Sequence, residues 1–153
     1  MAVVERHARC IGASVRNFGF VTVTGQRRGE HWARAMRTRN VWDEIAPQAG
    51  IQVVHRGLYV LAQRPEAMAV LDAFLQTEMG EGCRMLSTAQ AQREFPALQG
   101  GLGVMHSPHE RRVESRDAIP KLSHWLEQTL GVDFYWNTTC LLYTSPSPRD
   151  LST

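Results

Sequence analysis

The residues best suited to chemistry in this chain lie within its first 19 positions. Val3-Val4 is a short apolar run that ends in Glu5-Arg6, and Gly12-Ala13-Ser14-Val15-Arg16-Asn17-Phe18-Gly19 follows as a loop of small and polar residues. A carboxylate at the end of a strand accepts hydrogen bonds from paired sugar hydroxyls. Taken alone, the same pattern also describes a surface acid after a hydrophobic start. Small residues let backbone N–H groups approach a phosphate or a flat ring, and Ser14 adds a donor for a phosphate oxygen. Arg16 and Asn17 supply a cation and an amide for the polar edge of such a ring. The acid and the loop at this spacing point to a dinucleotide cofactor more than to a polar surface turn. A glycine-rich turn is expected about 20 residues before such an acid. Only four residues precede Glu5, so the sequence reads as starting inside a fold.

Other candidate groups carry weaker signals. His106 and His109 form H-x-x-H. A metal pair would need a third ligand that does not stand out, and Pro108 favours a turn, so the expectation is two partly exposed loop histidines. Arg27, Arg28, Arg34, Arg37 and Arg39 form a basic cluster. A nucleic-acid face would interleave exposed aromatics. Trp32 and Trp42 instead fall on an apolar stripe, which leaves a solvated basic face, with Arg27 or Arg28 as contacts for an anionic substrate. Cys10 is close enough in sequence to approach a cofactor, yet it sits in no attachment motif and reads as an ordinary small residue. No residue is assigned as a catalytic acid or base, and none as a metal ligand.

The elements that must position these groups follow from periodicity and punctuation. Residues 2 to 4 fit a buried strand, residues 6 to 19 a loop, and 20 to 24 an extended segment. A helix is predicted from Glu30 to Ala46, with Trp32, Ala35, Met36, Trp42, Ile45 and Ala46 on one face and Pro47 and Gly50 ending it. Residues 51 to 62 read as a strand, with Gly57 marking a bulge or a close approach. Pro65 suits the first turn of a second helix whose stripe is Ala67, Met68, Leu71, Phe74 and Leu75. Ser87 and Gln90 match a capping box opening a short helix that ends at Pro96. Gly100 to Met105 leads into a strand. Ser115 is expected to cap a last helix that buries Ile119, Leu122, Trp125 and Leu126 and stops at Gly131. Residues 132 to 136 make a final strand. The expected class is α+β.

Composition limits the function classes. The chain has 153 residues, enough for one core, and a net charge of only +2, so no strong field draws it to nucleic acid or membrane. Sixteen arginines against the single Lys121 fit GC-rich codon usage. No apolar run reaches the roughly 18 to 20 residues of a membrane span. No signal peptide is expected. The three scattered cysteines make no disulfide framework, and a reducing cytoplasm is the default.

At the far end, Cys140 to Asp150 matches, residue for residue, the in-frame translation of a transposase-type sequencing adapter. Residues 139 to 153 are therefore read as a non-native tail, with Thr138 and Thr139 near the junction, and fold reasoning stops there.

From Glu5-Arg6 through Gly12-Ala13-Ser14 and Arg16-Asn17-Phe18-Gly19, the chain resembles the FAD-dependent oxidoreductases of the D-amino-acid oxidase, glycine oxidase and sarcosine oxidase superfamily. The resemblance continues through Arg56-Gly57-Leu58-Tyr59-Val60, Leu86-Ser87, Phe95-Pro96-Ala97-Leu98 and Arg112-Val113-Glu114-Ser115-Arg116-Asp117-Ala118-Ile119-Pro120. In detail it comes closest to a bacterial subgroup associated with aminophosphonates. It implies FAD as cofactor, held by Glu5, Arg6, Ala13, Ser14, Arg16, Asn17 and Gly19. It further implies part of a Rossmann-like FAD-binding domain over 1–26 and part of a mixed-sheet substrate domain over 27–138. The implied reaction is oxidation of a C–N bond in a small amine or amino acid by hydride transfer to flavin. The family's glycine-rich first turn is not present in the sequence. The alternative reading is a non-catalytic α+β ligand-binding or interaction module.

Overall fold

The structure, a computed structural model, describes residues 1–139; the adapter-like stretch from Cys140 onward lies outside the described residues. The chain forms two compact units. The first joins Met1–Asn17 to the chain from Ser115 onward, and the second is Phe18–Glu114. The sequence places one boundary near residue 26. The chain changes unit after Asn17 and again after Glu114. Strand pairing decides this. The last strand, read from sequence as part of the substrate domain, pairs with the first.

In the first unit, β1 (Ala2–Val4) runs parallel to β6 (Asp133–Tyr135), with Val3 opposite Phe134. Backbone bonds extend the pairing beyond the strands: Glu5 N–H donates to Tyr135 O, and Thr138 N–H to Glu5 O, both at 3.0 Å. The expected loop contains one helical turn, α1 (Ala13–Arg16), which packs on α5 (Ser115–Leu130). Ser115 is the first residue of α5 and not its cap. Its hydroxyl donates to Asn17 Oδ1 at 2.6 Å, a partner 98 positions away that local pattern cannot anticipate.

In the second unit, the strand order is β2 (Phe20–Val21), β5 (Gly103–Val113), β3 (Val53–Ala62), with β4 (Arg84–Leu86) also on β5. The described pairs are all antiparallel. β5 is the centre, and its alternation sorts the core onto two faces. Met105 packs with Ala62 and Leu71, where α3 (Pro65–Leu75) lies. Val104 packs with Leu86 and Ala91, where α4 (Thr88–Glu94) lies. The capping box at Ser87 and Gln90 forms as expected, with both reciprocal bonds present.

Two local expectations change. α2 (Glu30–Gln48) runs past Pro47, because a proline in the last turn removes only one helical bond. The chain then turns at Gly50, whose φ is +64°. The His106 to His109 segment is not a loop. It lies inside β5, and Pro108 is tolerated where the β3–β5 register shifts between Arg56 and Leu58.

Candidate functional site: the cleft beside Glu5

Glu5 stands where β1 ends, beside the carboxyl end of its parallel partner β6. Open parallel sheets bind ligands at this end of their strands. The Glu5 carboxylate takes one bond internally: its Oε1 accepts from the backbone N–H of His7 at 2.9 Å. Arg6 Nε donates to His7 Nε2 at 3.1 Å. That bond requires an unprotonated Nε2, since a guanidinium is donor only. An open cleft of about 400 Å³ is lined by Glu5, Arg6, His7 and Gly12, with Thr138 and Thr139 across from them. Nothing stands within 4 Å of where a Cβ on Gly12 would be, so the backbone there is open to a ligand.

Ala13, Ser14 and Arg16 fall on α1 and are exposed. Asn17 uses its side chain within the chain. Its Nδ2 donates to Ser14 O at 2.8 Å and its Oδ1 accepts from Ser115. It therefore sets the shape of the loop. Arg16 lines a different cleft from Glu5. Gly19 belongs to the second unit. Its φ of +71° suits glycine, and its carbonyl accepts from Val113 N–H at 3.0 Å. The structure thus gathers Glu5, Arg6 and Gly12 at one cleft, whereas Arg16 lines another.

The sequence reading did not anticipate His7, Thr138 or Thr139 as cleft residues, and it placed Thr139 in the tail. His7 had a signal, its position two residues after the acid. The threonines had none, because only the pairing of β1 with β6 brings them there.

FAD fits this cleft in part. A strand-end carboxylate with one oxygen not bonded to His7, a bare glycine and hydroxyl side chains suit a ribose with adjacent phosphate. Cys10 does not suit attachment chemistry. Burial pushes its thiol up, the Glu5 charge adds to this, and a hydrogen bond with Ser123 opposes both. A protonated thiol is a poor nucleophile.

The second unit holds an unusual run of buried polar residues on β5: Ser107, His109, Glu110 and Arg111. Burial disfavours the Glu110 charge. Hydrogen bonds from Thr24, Ser107 and Val23 outweigh it and hold the group below the usual carboxylate range. Oε1 accepts from Thr24 N–H at 2.6 Å. Arg111 forks onto Asp43, with Nε to Oδ1 at 2.7 Å and Nη2 to Oδ2 at 2.8 Å. Burial, and then the Arg84 charge, lower the His106 pKa, while Glu94 and Glu110 oppose them. Arg28, an expected anion contact, forks instead onto Glu78 at 2.8 Å. Among the described residues no group of three His, Cys, Asp or Glu could hold a metal, and no helix is long and apolar enough to cross a membrane.

A family model for the FAD dependent oxidoreductases, DAO, matches residues 1–144. The match extends into the start of the adapter-like stretch. No curated protein sequence matches the chain closely. Among solved structures, glycine oxidase from Geobacillus kaustophilus aligns with TM-score 0.73 at 22% identity, over 90% of this chain and 40% of that one. Glycine oxidase from Bacillus cereus aligns with TM-score 0.73 at 19% identity, over 92% and 41%. L-proline dehydrogenase from P. horikoshii aligns with TM-score 0.71 at 17% identity, over 90% and 38%. At these identities the likeness is one of fold. The chain spans about 40% of the length of the first of these structures.

Proposed function

The chain belongs to the FAD-dependent oxidoreductase family, and from that premise we propose that it contributes a FAD-binding cleft to an enzyme oxidising a C–N bond. The carrying observation is Glu5 at the carboxyl end of β1, locked to β6 by backbone bonds and facing a cleft with the bare Gly12 backbone. In this reading Glu5 accepts from the ribose hydroxyls, and Arg6 and Ser14 serve the phosphates. Asn17 acts at one remove by tying the α1 turn to Ser115. When bound, FAD supplies a two-electron acceptor for the hydride leaving the carbon that bears the amine. The imine product then hydrolyses. The substrate class is a small amine or amino acid, with aminophosphonates as the narrower reading suggested by sequence resemblance. The buried polar run on β5 supports the assignment of the second unit to substrate handling, because buried charge is retained where geometry matters.

The test is a titration of the purified chain with FAD, followed by flavin fluorescence. Glu5→Ala is expected to weaken FAD binding about tenfold, the size of a lost hydrogen bond to a charged acceptor. Riboflavin, which lacks the adenosine ribose, should bind both forms alike. Equal FAD affinity in the two forms would remove Glu5 from the cofactor site.

A further inference from the structure

His7 is tied into the cleft beside Glu5 through three separate atoms. Its backbone N–H donates to Glu5 Oε1 at 2.9 Å. Its carbonyl accepts from the backbone N–H of Asn137 at 3.1 Å, next to the Thr138 and Thr139 wall of the cleft. Asn137 makes that bond from a left-handed φ of +55°, a conformation asparagine tolerates better than most residues. These two bonds belong to the backbone, so they hold residue 7 in place whatever its side chain. The third bond is the side chain's own: ring Nε2 accepts from Arg6 Nε at 3.1 Å. An arginine can only donate, so the ring contributes a lone pair at Nε2 and carries its proton at Nδ1.

Arg6 and His7 both line the cleft; Arg6 is exposed and His7 half-buried. An exposed arginine samples many rotamers, and a ligand that fixes one of them meets that entropy cost on binding. A bond at Nε removes part of the freedom in advance. It also leaves Nη1 and Nη2, and neither has a partner among the described residues. Such an end-on pair matches two oxygens of a phosphoryl group. We propose that His7 is a positioning residue for the cofactor, whose ring orders the Arg6 guanidinium for a phosphate of the dinucleotide. The inference rests on the FAD reading of this cleft. It adds a residue that acts through Arg6 alone.

Two variants separate the lone pair from the shape of the ring. His7→Phe keeps a flat ring and loses the acceptor; His7→Gln loses the ring and keeps an acceptor. Flavin fluorescence titration of the purified full chain should show FAD binding about fivefold weaker in His7→Phe, the size of one modest hydrogen bond. Binding by His7→Gln should stay near the parent's. In an Arg6→Ala background, His7→Phe should have no further effect, because two residues acting through one contact do not add. A purely structural role would keep its full effect there. With no ligand present, the Arg6 Nε–H resonance should exchange with solvent slowly in the parent and in His7→Gln, and fast in His7→Phe. Parent-like FAD binding by His7→Phe, an undiminished effect in the Arg6→Ala background, or an Arg6 Nε–H that exchanges alike in all three forms overturns the proposal. If Glu5→Ala weakens FAD binding while His7→Phe does not, only the positioning role falls. A parent chain that binds no FAD would overturn the reading of the cleft, and this role with it.

Discussion

Asp43 shows how much a single carboxylate organises in the second unit. It receives a fork from Arg111, whose side chain is only 9% exposed, and a further bond from Arg56 at 2.9 Å. The Arg111 bonds hold its carboxyl below the usual range, against a smaller opposing effect of burial. A carboxylate with a lowered folded pKa contributes stability above its unfolded value, near 4, and loses that contribution as pH falls through its folded value. Asp43→Asn is therefore expected to cost about 2 kcal/mol at pH 7, less than a fully buried pair because Asp43 is partly exposed. The difference should shrink as pH falls below about 4, where the unfolded chain's carboxylate takes up a proton before the folded one does; urea unfolding of both forms at pH 7 and at acid pH measures it. The Asp43 pair was not legible in the sequence. Arg111 and Asp43 are 68 positions apart, and Asp43 reads from its helix simply as an acid off the apolar stripe. Glu5, by contrast, was marked by local pattern alone, because its partner His7 and the end of its own strand are neighbours in sequence.

At the scale of elements, Gly57 in β3 is the clearest case of a residue chosen by its neighbour. Its φ is +81°, and a Cβ there would stand 2.9 Å from Ser107 O and 3.0 Å from His106 Nε2. The sequence marked it as a bulge or close approach; the structure makes it both, since the register to β5 shifts there. Gly25 has nearly the same φ, +82°, with open space around it. Gly57→Ala should cost about 1–2 kcal/mol for backbone strain and a further 1 or more for the clash, whereas Gly25→Ala should cost only the first. Equal midpoints for the two variants in denaturant would remove the steric part. The helices were readable for ordinary reasons, namely the capping box at Ser87, Pro65 in a first turn and the stripes of α2 and α3. β4 was missed because its three residues, Arg84–Leu86, are too short for a period and exist through pairing with β5. The histidines of H-x-x-H were misplaced for the opposite reason: Pro108 signals a turn locally, but the register shift opposite it lets the strand continue.

At the scale of the whole molecule, the two units differ in what holds them. The second has a four-stranded sheet with a core on both faces. The first has a two-stranded sheet of three residues per strand, and sheets of that size are marginal without further packing. Hydrogen exchange should therefore be fastest at the β1 and β6 amides and slowest at Val104 and Met105 of β5, both almost fully buried. Exchange at β1 as slow as at β5 would show that packing of α1 and α5 compensates for the small sheet.

By itself the sequence determined what depends on neighbours within about one helical turn or one strand. This covers the α+β class, most helix starts and stops, the glycine at 57, and the acid-then-small-residue pattern whose family is shown by the match over residues 1–144. Only the tertiary structure decided that the last helix and strand belong with the first strand. Parallel pairing of Val3 with Phe134 is a contact across 131 positions, and no local preference encodes its partner. For the same reason only the fold could set Thr138 beside Glu5, or bring Arg116 to the cleft that Arg16 lines. Each of these residues is ordinary in its own stretch of chain and meets its neighbours only through the pairing of β1 with β6 and the packing of α1 on α5.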